Sequence, residues 1–208
     1  MIPLIIDFSR KKVVIFGGGS VAARKARYFQ DEADLTIISR SFSDALSELP
    51  VRRILADTGA LSDRELNTYM KDAFLVIAAL SEREENNRIG MLAAEAGVLF
   101  NNADGDLGDV IIPSIVRGRH LLAGFSTGGE SPAVSRHLRE RFEEITPEID
   151  AMIDLQHILR ETLKRTDLTQ EERAGRLTAA INDPEIRKGL LDDREKTIEI
   201  ALSRYCHE

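Results

Sequence analysis

The chain has 208 residues, 43% of them apolar and 30% charged, with 35 acidic against 28 basic side chains. That length supports a buried core in one or two domains, and the acidic balance argues against a general nucleic-acid binder. The single cysteine, Cys206, excludes an intrachain disulfide and a multi-thiolate metal site. No apolar run approaches the roughly 20 residues of a membrane span. Residues 1–7 lack the basic start and cleavage pattern of a signal peptide, so the expectation is a soluble, cytoplasmic protein.

In chain order, Val13-Val14-Ile15-Phe16 is a short apolar run closed by three glycines, which predicts a buried parallel strand. Residues 20–31 predict a helix with Val21, Ala22, Ala26 and Phe29 on one face. Leu35–Ile38 and Val51–Leu55 predict two further strands, and Asp63–Lys71 a helix. Phe74–Ala79 is the next buried strand, Glu84–Ala96 the next helix with Gly97 as its C-cap, and Val98–Asn101 another strand. Strands alternating with helices over about 100 residues imply a parallel sheet with right-handed crossovers and helices on both faces.

From Asp109 the pattern changes. Val110–Pro113 and Leu121–Phe125 flank Arg117-Gly118-Arg119 and predict a hairpin. Ser131-Pro132 opens a helix, cap residue first and proline at the first helical position, with Val134, Leu138, Phe142 and Ile145 following at helical spacing. Everything after Pro147 reads as helical apart from a polar stretch at 166–172, with Asp183-Pro184 opening a last helix. The expected fold class is α/β. A Rossmann-type parallel sheet (residues 1–112) is followed by a small α+β unit (113–146) and a C-terminal helical domain (147–208).

Gly17-Gly18-Gly19-Ser20-Val21-Ala22 matches G-x-G-x-x-A between a strand and a helix. Gly17 suits the tight turn, Gly19 lets the backbone approach a pyrophosphate, and Ala22 lets the helix pack on the sheet. The helix N-terminus offers free N–H groups to phosphates. The second strand ends Ile38-Ser39-Arg40-Ser41, with no acid to meet the adenosine ribose. Ser39 can bond the ribose, and Arg40 can stack on adenine, favour a 2′-phosphate or lie solvated, so NAD and NADP both stay open here. Residues 117–142 carry five arginines against two glutamates inside an acidic chain. Such an island either meets a local anionic ligand or pairs with acidic neighbours on a solvated helix.

The glycine loop, Phe100-Asn101-Asn102-Ala103-Asp104, Ile112-Pro113-Ser114-Ile115 and Ser126-Thr127-Gly128-Gly129-Glu130-Ser131-Pro132 occur in this order. Together they resemble the precorrin-2 dehydrogenases of sirohaem synthesis, over about residues 3–145. The resemblance implies an intertwined homodimer with 113–146 as the dimerisation unit and the active site between domains. It also implies NAD-dependent oxidation of precorrin-2 to sirohydrochlorin. In bifunctional members Fe²⁺ enters the product as a second substrate rather than a resident cofactor. With no methyltransferase segment, the stand-alone form is expected.

Carried over by residue, Asp104 matches the family's catalytic acid/base; read alone, it is also a turn-former before Gly105. Ala78, Ala79 and Leu80 are expected to border the nicotinamide, with Asn86 nearby or on the helix surface. Thr127 stands where relatives often carry serine. Gly128 and Gly129 can present N–H groups to substrate carboxylates, with Arg117, Arg119, His120, Arg136 and Arg139 as candidate partners for the polycarboxylate tetrapyrrole. None of His120, His137, His157, His207 or Cys206 shows metal-ligand spacing. The rival reading is a dinucleotide-sensing regulatory module without catalysis, which needs neither a cleft carboxylate nor an anion pocket.

Overall fold

The computed structural model describes residues 1–104 and 106–207, in two compact units, Met1–Ile112 and Pro113–Glu208. In the first unit, β1 (Lys12–Phe16), β2 (Asp34–Ser39), β3 (Arg52–Leu55), β4 (Ala73–Ala78) and β5 (Leu99–Asn102) form one parallel sheet in the order β3-β2-β1-β4-β5. Helices α1 (Ser20–Phe29), α2 (Asp44–Ser47), α3 (Asp63–Met70) and α4 (Arg83–Glu95) make the connections. Successive strand side chains point to opposite faces. Val13 and Ile15 of β1 therefore pack with Ala22, Ala26 and Phe29 of α1, while Val14 and Phe16 pack with Leu66, Met70, Ile89 and Leu92 of α3 and α4. Covered on both sides, β1 and β4 need continuous apolar runs, which is why those two strands are so plain in the sequence.

The chain builds outward from β1 to β3 and then returns to the other side of β1 with β4. Strand order reverses at β1, and the crevice beyond the carboxyl ends of β1 and β4 is where open α/β sheets bind ligands.

In the second unit, β6 (Ser114–Arg117) and β7 (Leu122–Phe125) form an antiparallel pair. They are followed by α5 (Pro132–Leu163), α6 (Gln170–Ile181), α7 (Pro184–Asp192) and α8 (Arg194–Cys206). Leu155, Leu159 and Leu163 of α5 form a core with Ala180, Ile186, Leu190 and Ala201. The Asp150 carboxylate accepts the N–H groups of Arg119 (2.6 Å), His120 (2.9 Å) and Leu121 (2.9 Å), which fixes the β6–β7 turn on α5. These donors, His120 first, hold the Asp150 carboxyl below its ordinary range.

Three expectations are corrected. Val110–Pro113 is not a strand: Val110 and Ile112 pack against the core of the first unit, and pairing begins only at Ser114. The polar stretch at 166–172 contains a helix start, because Thr169 and Glu172 form a reciprocal capping box that opens α6. The last helix is two, broken at Asp193, whose backbone leaves the helical region (φ −145°, ψ 90°) and whose side chain caps α8. Helix α5 continues for 32 residues through Pro147, so positions 146 and 147 lie within one helix. An interior proline costs a helix about 3 kcal/mol. Burial of Leu155, Leu159 and Leu163 of the same helix in the core of the second unit offsets that penalty.

Candidate functional site

A cavity of about 620 Å³ opens at the strand-order reversal. It is lined by residues 17–21 of the glycine turn, 39–43 after β2, 57–59 after β3, 79–82 after β4, and Glu85. The size suits a small-molecule cofactor, for which pockets of about 300–1,000 Å³ are usual. Gly17 has φ +125°, and a Cβ there would lie 2.3 Å from the Ala79 carbonyl oxygen. A Cβ on Gly18 would lie 1.8 Å from the Ser41 carbonyl oxygen. Gly19 differs: beyond its chain neighbours, no protein atom lies within 4 Å of its Cβ position.

Gly19 is also the N-cap of α1, which has no side-chain cap and no acid in its first turn. The helix therefore keeps its first N–H groups and positive end for a ligand, and an incoming anion meets no protein carboxylate there. Two wall hydroxyls, Ser43 Oγ and Thr58 Oγ1, have no hydrogen-bond partner. The residues present thus fit a dinucleotide, with its pyrophosphate on the open edge at Gly19.

Ser20, Val21, Ser39, Arg40, Ala79 and Leu80 line this cavity together with Gly17 and Gly19. Ala22 and Ala78 do not; both are completely buried in the two sheet-face cores. Ala22 serves the site by letting α1 lie close on the sheet. Asn86 is buried rather than on the helix surface, and its amide is engaged by backbone. Its Oδ1 accepts the Leu80 N–H (3.0 Å), while its Nδ2 donates to the carbonyls of Leu80 (3.1 Å) and Asp104 (3.1 Å). Asn86 is thus a bracket tying the cavity-lining Leu80 loop to Asp104.

Asp104 follows β5, at the carboxyl end of the sheet, and is exposed. Its N–H donates to Asn102 Oδ1 (3.2 Å), so Asn102 is the side chain that forms the turn. Among the described residues, the Asp104 carboxylate has no hydrogen-bond or ion-pair partner. Gly105 lies outside the described residues.

Residues that sequence reasoning missed are Gly18, the 57–59 segment and Lys25. Gly18 stood in the motif as a free position, and 57–59 follows a strand's carboxyl end, the usual place for ligand contacts. Lys25, on α1, is 9% exposed. Its Nζ donates to Asn101 Oδ1 (2.6 Å), and Asn101 Nδ2 donates to the Val110 carbonyl (2.7 Å). Burial, reinforced by the charge of Arg24, pushes the Lys25 ammonium down to about 8.

The unfolded chain then binds more protons than the folded one between about pH 8 and the ordinary lysine value, so this group's contribution to stability rises with pH across that window. Below it, the desolvated ammonium costs roughly 3 kcal/mol. We expect urea unfolding at pH 7.5, 9 and 10 to show this upward contribution in the wild type and its loss in Lys25→Met. Parallel pH curves for the two proteins would refute it.

In the second unit the basic island is largely paired. Arg119 and His120 both contact Asp154, the His120 Nε2 at 2.8 Å, and Arg194 joins them at 2.6 Å. Arg136 pairs with Glu140 (2.8 Å) and Arg139 with Glu143 and Glu140, along the surface of α5. Exposed pairs one turn apart are worth only about 0.3–0.5 kcal/mol, so a competing carboxylate can replace them. Arg117 is an exposed residue of β6. Thr127 Oγ1 accepts the Ser131 N–H (2.9 Å) at the entry to α5, and Gly128 and Gly129 have positive φ, +66° and +97°. Their exposed backbone forms an open turn. Among the described residues, no group of three or more His, Cys, Asp or Glu could hold a metal ion, and no helix is long and apolar enough to cross a membrane.

Comparison with known proteins agrees with this geometry. A family model described as "Putative NAD(P)-binding" matches residues 4–114. A precorrin-2 dehydrogenase from Methanosarcina barkeri is 42% identical over 207 residues, covering 97% of this chain and 92% of that protein. A siroheme synthase from Tolumonas auensis is 32% identical over 83% of this chain, which spans only 37% of that protein. A solved structure named "SirC, precorrin-2 dehydrogenase" matches 99% of this chain and all of its own, with TM-score 0.73. At 19% identity it speaks to the fold alone.

Proposed function

The chain belongs to the precorrin-2 dehydrogenase family, and from that premise we propose that it oxidises precorrin-2 to sirohydrochlorin with NAD in siroheme synthesis. The observation that carries the reading is the glycine turn at the strand-order reversal, open at Gly19, in a cavity whose Leu80 loop is tied through buried Asn86 to the Asp104 turn. When bound, NAD supplies the hydride acceptor. The uncapped α1 N-terminus holds the pyrophosphate, and Ala79 and Leu80 border the nicotinamide. Asp104 takes the proton that leaves the macrocycle, and its unpartnered carboxylate suits that role.

We further assign the substrate's carboxylates to the second unit: the N–H groups of Gly128 and Gly129, the Thr127 hydroxyl, and exchangeable cations among Arg117, Arg119, His120, Arg136 and Arg139. Segment 113–146 is the proposed dimerisation element, followed by a helical part from 147. Val134, Leu138 and Ile145 of α5 are exposed apolar residues at helical spacing, which suits a second copy. A cytoplasmic homodimer is the expected form.

The test is an anaerobic assay of purified protein with precorrin-2 and NAD, following NADH and sirohydrochlorin by absorbance, with light scattering for the oligomer. Enzyme-dependent formation of both products is expected. A protein that binds dinucleotide without turning over would be a sensing module instead. Adding Fe²⁺ to the product tests for chelation separately.

A further inference from the structure

Among the described residues of the first unit, Lys25 is the one charged side chain that is buried. Its neighbours on the inner face of α1, Ala22, Ala26 and Phe29, belong to the core, and an unbranched apolar side chain would pack equally well there. The ammonium instead donates to the neutral Oδ1 of Asn101 (2.6 Å), and no carboxylate pairs with it among the described residues. Asp150, the buried charge of the second unit, shows the contrast. Three backbone N–H groups favour its ionised form, whereas burial works against that of Lys25. A buried charge without a counter-charge lowers the stability of the fold that holds it. A role other than folding is therefore to be sought for it.

The place of Asn101 supplies that role. Ile15, Ile77 and Asn101 stand side by side across β1, β4 and β5, so Asn101 continues the row that faces α1 onto the outermost strand. The outer edge of β5 is covered by the chain that returns after Asp104. The Val110 N–H donates to the Phe100 carbonyl (3.0 Å), and Asp109 Oδ2 accepts the Phe100 N–H (3.2 Å). Asn101 Nδ2 donates to the Val110 carbonyl (2.7 Å). The segment bearing Asp104 is thus a loop closed at its base on Phe100 and Asn101. An ammonium has donors only, so Lys25 takes Asn101 Oδ1 and turns Nδ2 toward Val110. Without it, nothing on that side dictates which end of the amide meets the returning chain.

We propose that Lys25 is a positioning residue for the oxidation: by orienting the Asn101 amide it fixes the base of the loop from which the Asp104 carboxylate works. This rests on Asp104 taking the proton, and a double-mutant cycle separates the two. A general base has to lie within hydrogen-bond reach of its proton, and a misplacement of about 1 Å can lower a rate by about a hundredfold.

Lys25→Met, Asp104→Asn and the double variant should be compared with the wild type in kcat, KM, NAD affinity and melting temperature at pH 7.5, with hydrogen exchange at the Val110 N–H. Lys25→Met is expected to keep or raise the melting temperature and to bind NAD as the wild type does. Its kcat should fall about tenfold with KM little changed, and the Val110 N–H should exchange faster. In the Asp104→Asn background the same substitution should lower turnover no further, because the group it positions is gone. A Lys25→Met that unfolds, or that keeps wild-type turnover, overturns the inference. So does an equal loss in both backgrounds, which would mean that Lys25 acts on something other than Asp104. Wild-type turnover in Asp104→Asn overturns the proton-acceptor reading itself.

Discussion

Replacing Asp104 with Asn or Ala is expected to lower precorrin-2 turnover by about two to three orders of magnitude, the range usual for losing a positioned general base. The variant should fold. Asp104 is exposed, its turn is formed by the Asn102 side chain, and its backbone is held by its carbonyl on Asn86 Nδ2 (3.1 Å). None of these uses the carboxylate. That group projects beyond the carboxyl end of β5 with no partner among the described residues, so its removal breaks no folded-state contact. A structural role would appear as lost melting temperature with turnover following it. A catalytic role appears as lost turnover at unchanged melting temperature and unchanged NAD affinity. Measuring all three on one preparation decides the matter, and a folded variant with wild-type turnover would remove Asp104 from the chemistry.

What could be read from the sequence, and what could not, divides along a physical line. Signals that act within a few residues were legible. The apolar runs of β1 and β4, the glycine turn and the Ser131-Pro132 helix start each report on their own neighbourhood. Even the start of α6, which the polar stretch hid, was legible in this sense, since Thr169 and Glu172 stand three apart as a capping box requires. Partners brought together only by the fold were not. Nothing near Arg119 or His120 announces Asp154, 35 and 34 residues away, and without it a ligand and an acidic neighbour stayed equally open as partners.

Asn86 shows the same limit from the other side. On a polar helix start it read as cofactor contact or surface, yet it is buried and braces two loops through backbone groups. Val110 and Ile112 had the apolar character of a strand but no local sign that the first unit's core would claim them. Local sequence therefore pointed to the cavity that the glycine turn lines. It left open whether the cationic patch meets a ligand or acidic neighbours, because charge pairing is a tertiary property.

The glycine turn offers the sharpest separation of fold from ligand, because neighbouring glycines are constrained by different things. Gly18→Ala places a methyl group 1.8 Å from the Ser41 carbonyl, inside contact distance of backbone that cannot rotate away. The 39–43 segment must move, breaking the Ser43 to Gly18 hydrogen bond and displacing the ribose wall. We expect a loss of about 2–4 kcal/mol in stability together with dinucleotide binding, the scale of overpacking at a fixed site.

Gly19→Ala meets no protein atom within 4 Å beyond its chain neighbours, and the backbone there (φ −84°, ψ −171°) suits any residue. Its stability cost is that of an alanine N-cap in place of glycine, at most about 1 kcal/mol. The new methyl group nevertheless projects into the open space at the α1 N-terminus, where a pyrophosphate must approach the backbone. NAD affinity should fall at least about tenfold while the melting curve barely moves. Calorimetric titration and thermal unfolding of the two variants side by side would show one protein weakened in both respects and one weakened only for its ligand. If Gly19→Ala binds NAD as the wild type does, the pyrophosphate does not lie against this turn, and Gly17 and Gly18 are glycines for packing alone.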